Sequence, residues 1–427
     1  MTAQIQAVRG MNDVLPAEIG LWQYLETAAR DLLDSYGYAE IRIPVVEHTQ
    51  LFERAIGEHT DVVEKEMYTF VDQGDESLTL RPEATAGIVR AVISNGMLRG
   101  QRHKLWCMGP MFRREKPQKG RYRQFHQLDV EAIGFAGPDV DAELIALVAR
   151  LWRRLGIERV RLQVNSLGTR ESRAEYRARL TEYFRTHVAR LDADSRRRLE
   201  SNPLRILDSK LPEMQELIAG APLLTEHLDV ESRAHFETLC AALQALGVEY
   251  EVNPRLVRGL DYYSRTVFEW ITDALGAQDA VCSGGRYDGL IAQLGGEPTP
   301  AIGFAMGIER AVELLRQAQG TPDAASADVY VMASGPRAGL EALRIIEWLR
   351  DALPQYRFEL SLGGGNFKAQ FRRADRSGAT LALILGDDEL QRGAASLKPL
   401  REEAGQSECA LAELPARIAT ALAGEGE

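Results

Sequence analysis

The sequence predicts an α+β protein of several domains: a mixed-sheet domain interrupted by a helical block, then a separate α/β domain. Three observations carry this. The chain has 427 residues, too many for one ordinary domain. Its composition shifts near Thr169 to text rich in Arg, Glu and Leu, and strand-like, glycine-rich text returns near Val252. Beyond a linker-like stretch at 317–327 (QAQGTPDAASA), short strands and helices alternate.

The elements follow in order. Residues 17–36 set Ile19, Trp22, Leu25, Ala29, Leu32 and Tyr36 at helical spacing, and Gly37 is a stop signal. Residues 38–43 read as a strand closed by Pro44. Residues 78–85 (LTLRPEAT) alternate, which in one strand puts Thr79, Arg81, Glu83 and Thr85 on one face. From Phe125 onward the same alternation puts Phe125, Gln127, Asp129 and Glu131 on a face expected to be exposed. His126, Leu128 and Val130 take the other. Residues 141–155 carry a helical stripe of Ile145, Val148, Leu151 and Leu155. In the block 170–250 the clearest helix is 231–246, with Phe236, Leu239, Cys240, Leu243 and Leu246 on one face.

The last 100 or so residues read as strand 329–332, helix 338–353, strand 357–361, helix 366–376 and strand 381–385. The second of these helices carries Lys368, Arg372, Arg373 and Arg376, a set that suits a solvated face as well as a functional one. The GGGN at 363–366 lacks the glycine spacing of a dinucleotide fingerprint and reads as a turn. The expected domains are 1–168 and 252–322 for the two parts of the sheet domain, 169–251 for the helical insertion and 323–427 for the α/β domain.

Composition excludes several function classes. The four cysteines lie far apart with no Cys-x-x-Cys pair, so neither a zinc site nor a disulfide framework is expected. That usage fits a reducing cytoplasm. No apolar run approaches the ~20 residues of a membrane span, and no membrane partner is expected. The net charge is −11, yet 99–123 holds nine Lys/Arg and one acid. Nucleic-acid and phosphate binding depend on such a local patch and not on the total.

The chemistry concentrates in four segments. FRREKPQKGRYRQFHQLDVE (112–131) runs from a cationic loop into an aromatic ring and then polar and acidic side chains. Cations suit phosphate, the ring suits a base, and the acids suit a small cationic ligand. RGLDYYSRTVFEW starts at Arg258 and offers Tyr262 and Tyr263; SGGRYDGL starts at Ser283 and frames Arg286 and Tyr287 with glycines. AIGFAMGIER (301–310) ends in Arg310. Arg113, Arg121, Arg258 and Arg310 are four cations with no Ser/His/Asp set, nucleophilic Cys or P-loop beside them. Arginine grips phosphate oxygens in fixed bidentate geometry. Nucleotidyl chemistry needs positioning and charge more than a nucleophilic side chain.

On these motifs the chain resembles class II aminoacyl-tRNA synthetases, and among them the bacterial histidyl-tRNA synthetases. The likeness runs from RGMNDVLP (9–16) through LRPEAT, FRREKPQKGRYRQFHQLDVE and GFAMGIER, with RGLDYY and GGRYDGL as its specific marks. It implies an α+β catalytic core with an antiparallel sheet, a helical insertion and a C-terminal α/β anticodon-binding domain. It also implies a homodimer. The implied reaction activates L-histidine with ATP to histidyl-adenylate, then transfers histidine to the 3′ end of tRNA(His). ATP would come with Mg²⁺.

By position, Arg113 and Arg258 would be catalytic. Arg113, Glu115, Arg121, Phe125 and Arg310 would bind ATP, with Phe125 and Arg310 on opposite faces of adenine. Glu83, Thr85, Arg113, Gln127, Glu131, Arg258, Tyr262, Tyr263 and Tyr287 would bind histidine. Lys116, Gln118, Lys119 and Arg123 at the loop tip would meet the tRNA acceptor end. Two departures stand out: Ala84 replaces a common glycine, and Asp129 occupies a place where small residues also occur. The rival readings are a non-catalytic histidine-sensing regulator and a class II synthetase for another amino acid.

Overall fold

The computed structural model describes residues 4–57, 60–118, 120–207, 209, 211–257, 260, 262–276, 280–320, 327–402 and 404–423. Contacts divide the chain into two units, Met1–Thr321 and Pro322–Glu427.

The first unit opens with helix α1 (Pro16–Ser35). Proline suits its first position, where the missing N–H has no partner to lose. The buried face carries Leu21, Trp22, Leu25, Ala28, Leu32 and Leu33, while Ile19 is exposed. The strand expected over 38–43 shrinks to β1 (Ala39–Glu40). Ile41 still donates to the carbonyl of Trp106, but the chain then leaves the sheet ahead of Pro44, which has no donor to offer.

A small sheet, ordered β2-β4-β3, follows from β2 (Val46–His48), β3 (Tyr68–Val71) and β4 (Ser77–Leu80), with helix α2 (Thr49–Ile56) between the first two. Residues 78–85 are therefore not one strand. β4 stops at Leu80, and Thr85 begins helix α3 (Thr85–Ser94). Pro82 cannot donate to a ladder. The Glu83 carboxylate accepts from the N–H groups of Thr85 (3.0 Å) and Ala86 (2.9 Å), which satisfies the open end of the helix.

Strands β5 (His103–Phe112) and β6 (Gln124–Ile133) pair without a break from His103↔Ile133 to Phe112↔Gln124. Helix α4 (Pro138–Arg154) and strand β7 (Arg161–Ser166) come next. The helical block is α5 (Arg170–Thr186), α6 (Ala193–Ser201), α7 (Pro212–Ala219) and α8 (Val230–Ala245). The buried face of α8 is turned from the expected one: Ser232, His235, Leu239 and Leu243 are buried, whereas Leu246 is exposed. The pull on His235 is polar. Its Nε2 meets buried Asp141 at 2.8 Å. Leu239 and Leu243 join the core of the large sheet.

The unit closes with β8 (Glu251–Val252), β9 (Ser264–Ile271), β10 (Ala280–Arg286), helix α9 (Leu290–Gln293), β11 (Ala301–Gly307) and helix α10 (Ile308–Gln319). The large sheet has eight strands in the order β1-β5-β6-β11-β10-β9-β7-β8. Its interior is antiparallel, and only the two end pairs, β1 with β5 and β7 with β8, are parallel. One face carries Trp106, Leu128, Val130, Ile302, Phe304 and Met306 into a core shared with α1, α4 and α10. The other face carries Leu105, Cys107, Met111 and Ile133 toward α3 and the tyrosines of 262–287. The site lies on that second face.

The second unit holds β12 (Val329–Ser334), α11 (Pro336–Ala352), β13 (Phe358–Leu360), α12 (Phe367–Arg376), β14 (Leu381–Gly386), α13 (Asp387–Gln391), β15 (Ala394–Pro399), β16 (Ser407–Ala410) and α14 (Leu414–Ala423). Its five-stranded sheet runs β13-β12-β14-β15-β16, parallel across the first three and antiparallel thereafter. Asn366 caps α12 by accepting from the N–H of Ala369 at 2.9 Å, so GGGN is the turn that delivers this cap.

Candidate active site

The row expected to be exposed on β6 runs beneath a cleft, and Gln127 lines it. Asp129 and Glu131 are fully buried, and Gln127 and Phe125 are half-buried. The cleft encloses about 920 Å³ including its open mouth, and its lining includes Glu83, Thr85, Arg113, Glu115, Arg121, Gln127, Tyr262, Tyr263 and Tyr287. Arg205 from the helical block also lines it and pairs with Asp61 at 2.8 Å.

At the deep end Glu131 is held from two sides. Thr85 Oγ1 donates to its Oε1 at 2.6 Å, and the Tyr287 hydroxyl donates to its Oε2 at 2.5 Å. Burial pushes the Glu131 carboxyl up to about 8, against the pull of those two donors. Glu131 lies across β11 because Gly303, its direct cross-strand neighbour, has no side chain. A Cβ on Gly303 would stand 1.6 Å from Glu131 Oε2. Burial likewise raises the Glu83 carboxyl, although two backbone donors and Arg113 oppose it. Tyr262 reaches Glu83 at 3.5 Å and stacks at a tilt on Tyr263, centroids 4.7 Å apart.

At the open end the groups are cationic. Arg113 Nε donates to the Pro82 carbonyl at 2.8 Å, and its guanidinium lies 5.4 Å from the centre of the Phe125 ring. Arg121 is ion-paired with Glu115. Arg310 does not line this cleft: it lines a second cavity with Gly120, His126 and Glu309 and donates to the carbonyls of Gly120 (3.0 Å, through Nε) and Ala280. The loop between β5 and β6 turns where Gln118 and Arg121 exchange backbone hydrogen bonds, with Lys116 and Gln118 exposed. Arg123 is tied inward: its N–H donates to Gly10 at 2.7 Å and its Nε to the Glu115 carbonyl at 3.2 Å. Arg258 and Lys119 lie outside the described residues.

Some supporting residues carry no sequence signal of their own. Arg286 does not reach the cleft. It is fully buried and pairs with Asp141 at 2.7 Å, while donating to Phe135 O, Gly137 O and Asp288. Asp141 also accepts from Thr266 (2.7 Å) and meets His235. Glu309 accepts from the His126 N–H at 2.9 Å, tying the start of α10 to β6. Their signal was only the sign of charge: Asp141 sits in a stripe that is otherwise apolar.

A mixed eight-stranded sheet with an acidic pocket at one end of its open face and arginines at the other, followed by a separate five-stranded domain, defines a class II aminoacyl-tRNA synthetase. Comparison with known proteins narrows the class. Residues 10–311 match the family model of histidyl-tRNA synthetase, and residues 328–420 match that of an anticodon binding domain. Apo histidyl-tRNA synthetase from S. aureus is 35% identical, with a TM-score of 0.81 over 97% of this chain and 100% of that one. Two matches show the fold alone: histidyl-tRNA synthetase from Nostoc sp. (21% identity, TM-score 0.71, 98% of this chain and 100% of that one) and an ATP phosphoribosyltransferase regulatory subunit/histidyl-tRNA synthetase from Bacillus halodurans (23%, 0.65, 87% and 97%). The chain belongs to the histidyl-tRNA synthetase family. Its activity is the ATP-dependent ligation of histidine to tRNA through histidyl-adenylate, with release of pyrophosphate and AMP.

Proposed function

We propose that the cleft divides this reaction along its length. The observation that carries the reading is Glu131, buried yet fixed by Thr85 and Tyr287, at the closed end of a cleft whose open end is cationic. A histidine side chain needs an acceptor and a donor at its two ring nitrogens. Glu131 with Tyr263, Tyr287 and Gln127 supplies both. Glu83 and Thr85 take the α-ammonium group, and Arg113 takes the carboxylate.

The carboxylate oxygen of histidine then attacks the α-phosphorus of ATP, and the bond to pyrophosphate breaks. Arg113 stabilises the charge that grows on the α-phosphoryl oxygens, and Arg258 is assigned to do so from the other side. Phe125 stacks on adenine opposite Arg310. Arg121 and Arg310 hold the outer phosphates, with Glu115 orienting Arg121. Among the described residues no cluster of three His, Cys, Asp or Glu side chains is set to hold a metal. Mg²⁺ would come with ATP and offset the charge of its phosphates. In the second step the 3′-terminal ribose hydroxyl of tRNA attacks the adenylate carbonyl and AMP leaves. Lys116, Gln118 and Lys119 meet the acceptor end, while Arg123, tied inward to Gly10 and Glu115, holds the loop that carries them.

The reading extends to a homodimer working in the cytoplasm, with residues 1–168 and 252–322 as the catalytic core, 169–251 as the helical insertion and 323–427 reading the anticodon of tRNA(His). Among the described residues no helix is long and apolar enough to cross a membrane. Arg113→Ala tests the division of labour. Adenylate formation, followed by ATP–pyrophosphate exchange with histidine, should fall by about 10²–10³-fold, the scale of one preorganised charge-stabilising donor. Near-wild-type exchange would remove Arg113 from the central role.

A further inference from the structure

The deep end of the cleft holds three buried carboxyls with unequal support. Glu83 has two backbone N–H donors and Glu131 has two hydroxyl donors. Asp129 has neither. Both its oxygens are buried without a hydrogen-bond partner, and so is Oε1 of Gln127, the next residue along the same row. Buried polar atoms in folded proteins are nearly always paired, so an orphaned carboxyl in a binding pocket asks for a functional reason.

No neighbouring element supplies one in the empty pocket. Across the sheet Asp129 faces Cys107 on β5 and Ala305 on β11. Burial pushes the Cys107 thiol up to about 11, so it stays a neutral thiol. The Arg81 guanidinium lies over Gly109, where a Cβ would stand 2.5 Å from it, and is directed at the carbonyls of Pro110 (2.9 Å) and Ile43 (3.0 Å). Arg113 is directed at the Pro82 carbonyl and the Phe125 ring. Among the described residues, α3 and the 262–287 side contribute the neutral hydroxyls of Thr85, Tyr262, Tyr263 and Tyr287. Glu83 and Glu131 add like charge.

We propose that Asp129 is a specificity-determining residue of the amino-acid pocket: with Glu83 and Glu131 it forms a three-carboxyl cluster beneath the cleft that keeps a proton in the free enzyme and gives it up to solvent when a cationic amine arrives. The proposal rests on the pocket being that of histidine. Carboxyls crowded in a low dielectric cannot all ionise, and they titrate as a coupled set. Burial first, then the charges of Glu131 and Glu83, hold Asp129 well above the usual carboxylate range. The Arg81 and Arg113 charges oppose this shift without reversing it; the α-ammonium group adds a further positive charge, so the carboxylic acid O–H ionises and its proton leaves to water. Asp129 does not line the cleft and acts on the ligand through its charge, coupled to Glu131 and Glu83. An amino acid without its ammonium cannot draw the proton off, and the pocket discriminates against it.

The test is calorimetry of histidine binding to the full chain at neutral pH, in buffers of different ionisation enthalpy. The wild type should release protons, by up to about one more than Asp129→Asn, which keeps the shape but cannot ionise. Imidazolepropionate, which lacks the ammonium group, should release fewer protons than histidinol, which keeps it. If Asp129→Asn fails to fold, Asp129→Ser carries the same expectation. Equal proton counts in wild type and variant, or a wild-type count of zero, would overturn the proposal. No histidine binding by the wild type would instead sink the reading of the pocket on which it rests.

Discussion

Gly303 is the position where one methyl group should cost the most. A Cβ there would lie 1.6 Å from Glu131 Oε2, 2.5 Å from its Cδ and 2.7 Å from the Val130 carbonyl oxygen. The last is sheet backbone and cannot yield, so Gly303→Ala must expel the Glu131 carboxylate. That breaks the bonds from Thr85 (2.6 Å) and Tyr287 (2.5 Å). Above pH 8 Glu131 is charged, and hydrogen bonds to a charged group are worth about 1.5–3 kcal/mol each, so roughly 3–6 kcal/mol of preorganisation is lost there. At 1.4 kcal/mol per tenfold, kcat/KM for histidine should fall by about 10²–10⁴ in ATP–pyrophosphate exchange. Gly307→Ala on the same strand is the control, because its Cβ would meet nothing closer than 3.6 Å. Its effect should stay within a few-fold. A Gly303→Ala enzyme as active as the Gly307→Ala control would refute the idea that Glu131 must lie across β11.

Two further expectations concern stability. Arg286→Met leaves Asp141 charged, buried and short of its main cation; breaking such a pair costs about 3–5 kcal/mol, and an unmoved urea midpoint would contradict it. Glu131 is raised in the folded chain to about 8, so its contribution is present below the ordinary carboxylate range and is lost as pH rises through 8. Glu131→Gln should therefore raise the melting temperature relative to wild type more at pH 9 than at pH 5, while abolishing histidine-dependent exchange. An equal shift at both pH values would count against it.

Much of this was legible in the chain, and the failures have physical causes. α1, α4 and the strand–helix alternation of the second unit follow from periodicity, because each buries one apolar stripe. The alternation of Phe125, Gln127, Asp129 and Glu131 was read with the correct face, but as exposed. Polarity suggested water, and only the crossing of α3 and the tyrosines over the sheet shows burial. Residues 78–85 kept a period of two past Pro82, so pattern alone hid the helix that Glu83 starts. Arg286 shows in the sequence only as a residue framed by glycines, with no sign of its burial. Its partner Asp141 is 145 residues away, a pairing that no local pattern carries. β15, β16 and α14 were not read from the chain; β15 pairs with β14 and β16 with β15, antiparallel contacts that no local pattern carries.

The most direct measurement is ATP–pyrophosphate exchange by the purified full chain, with each of the standard amino acids supplied in turn. Histidine alone should support exchange, and Glu131→Gln should lose it. Exchange with a different amino acid, or none with histidine, would contradict the assignment of the acidic end of the cleft to the imidazole ring.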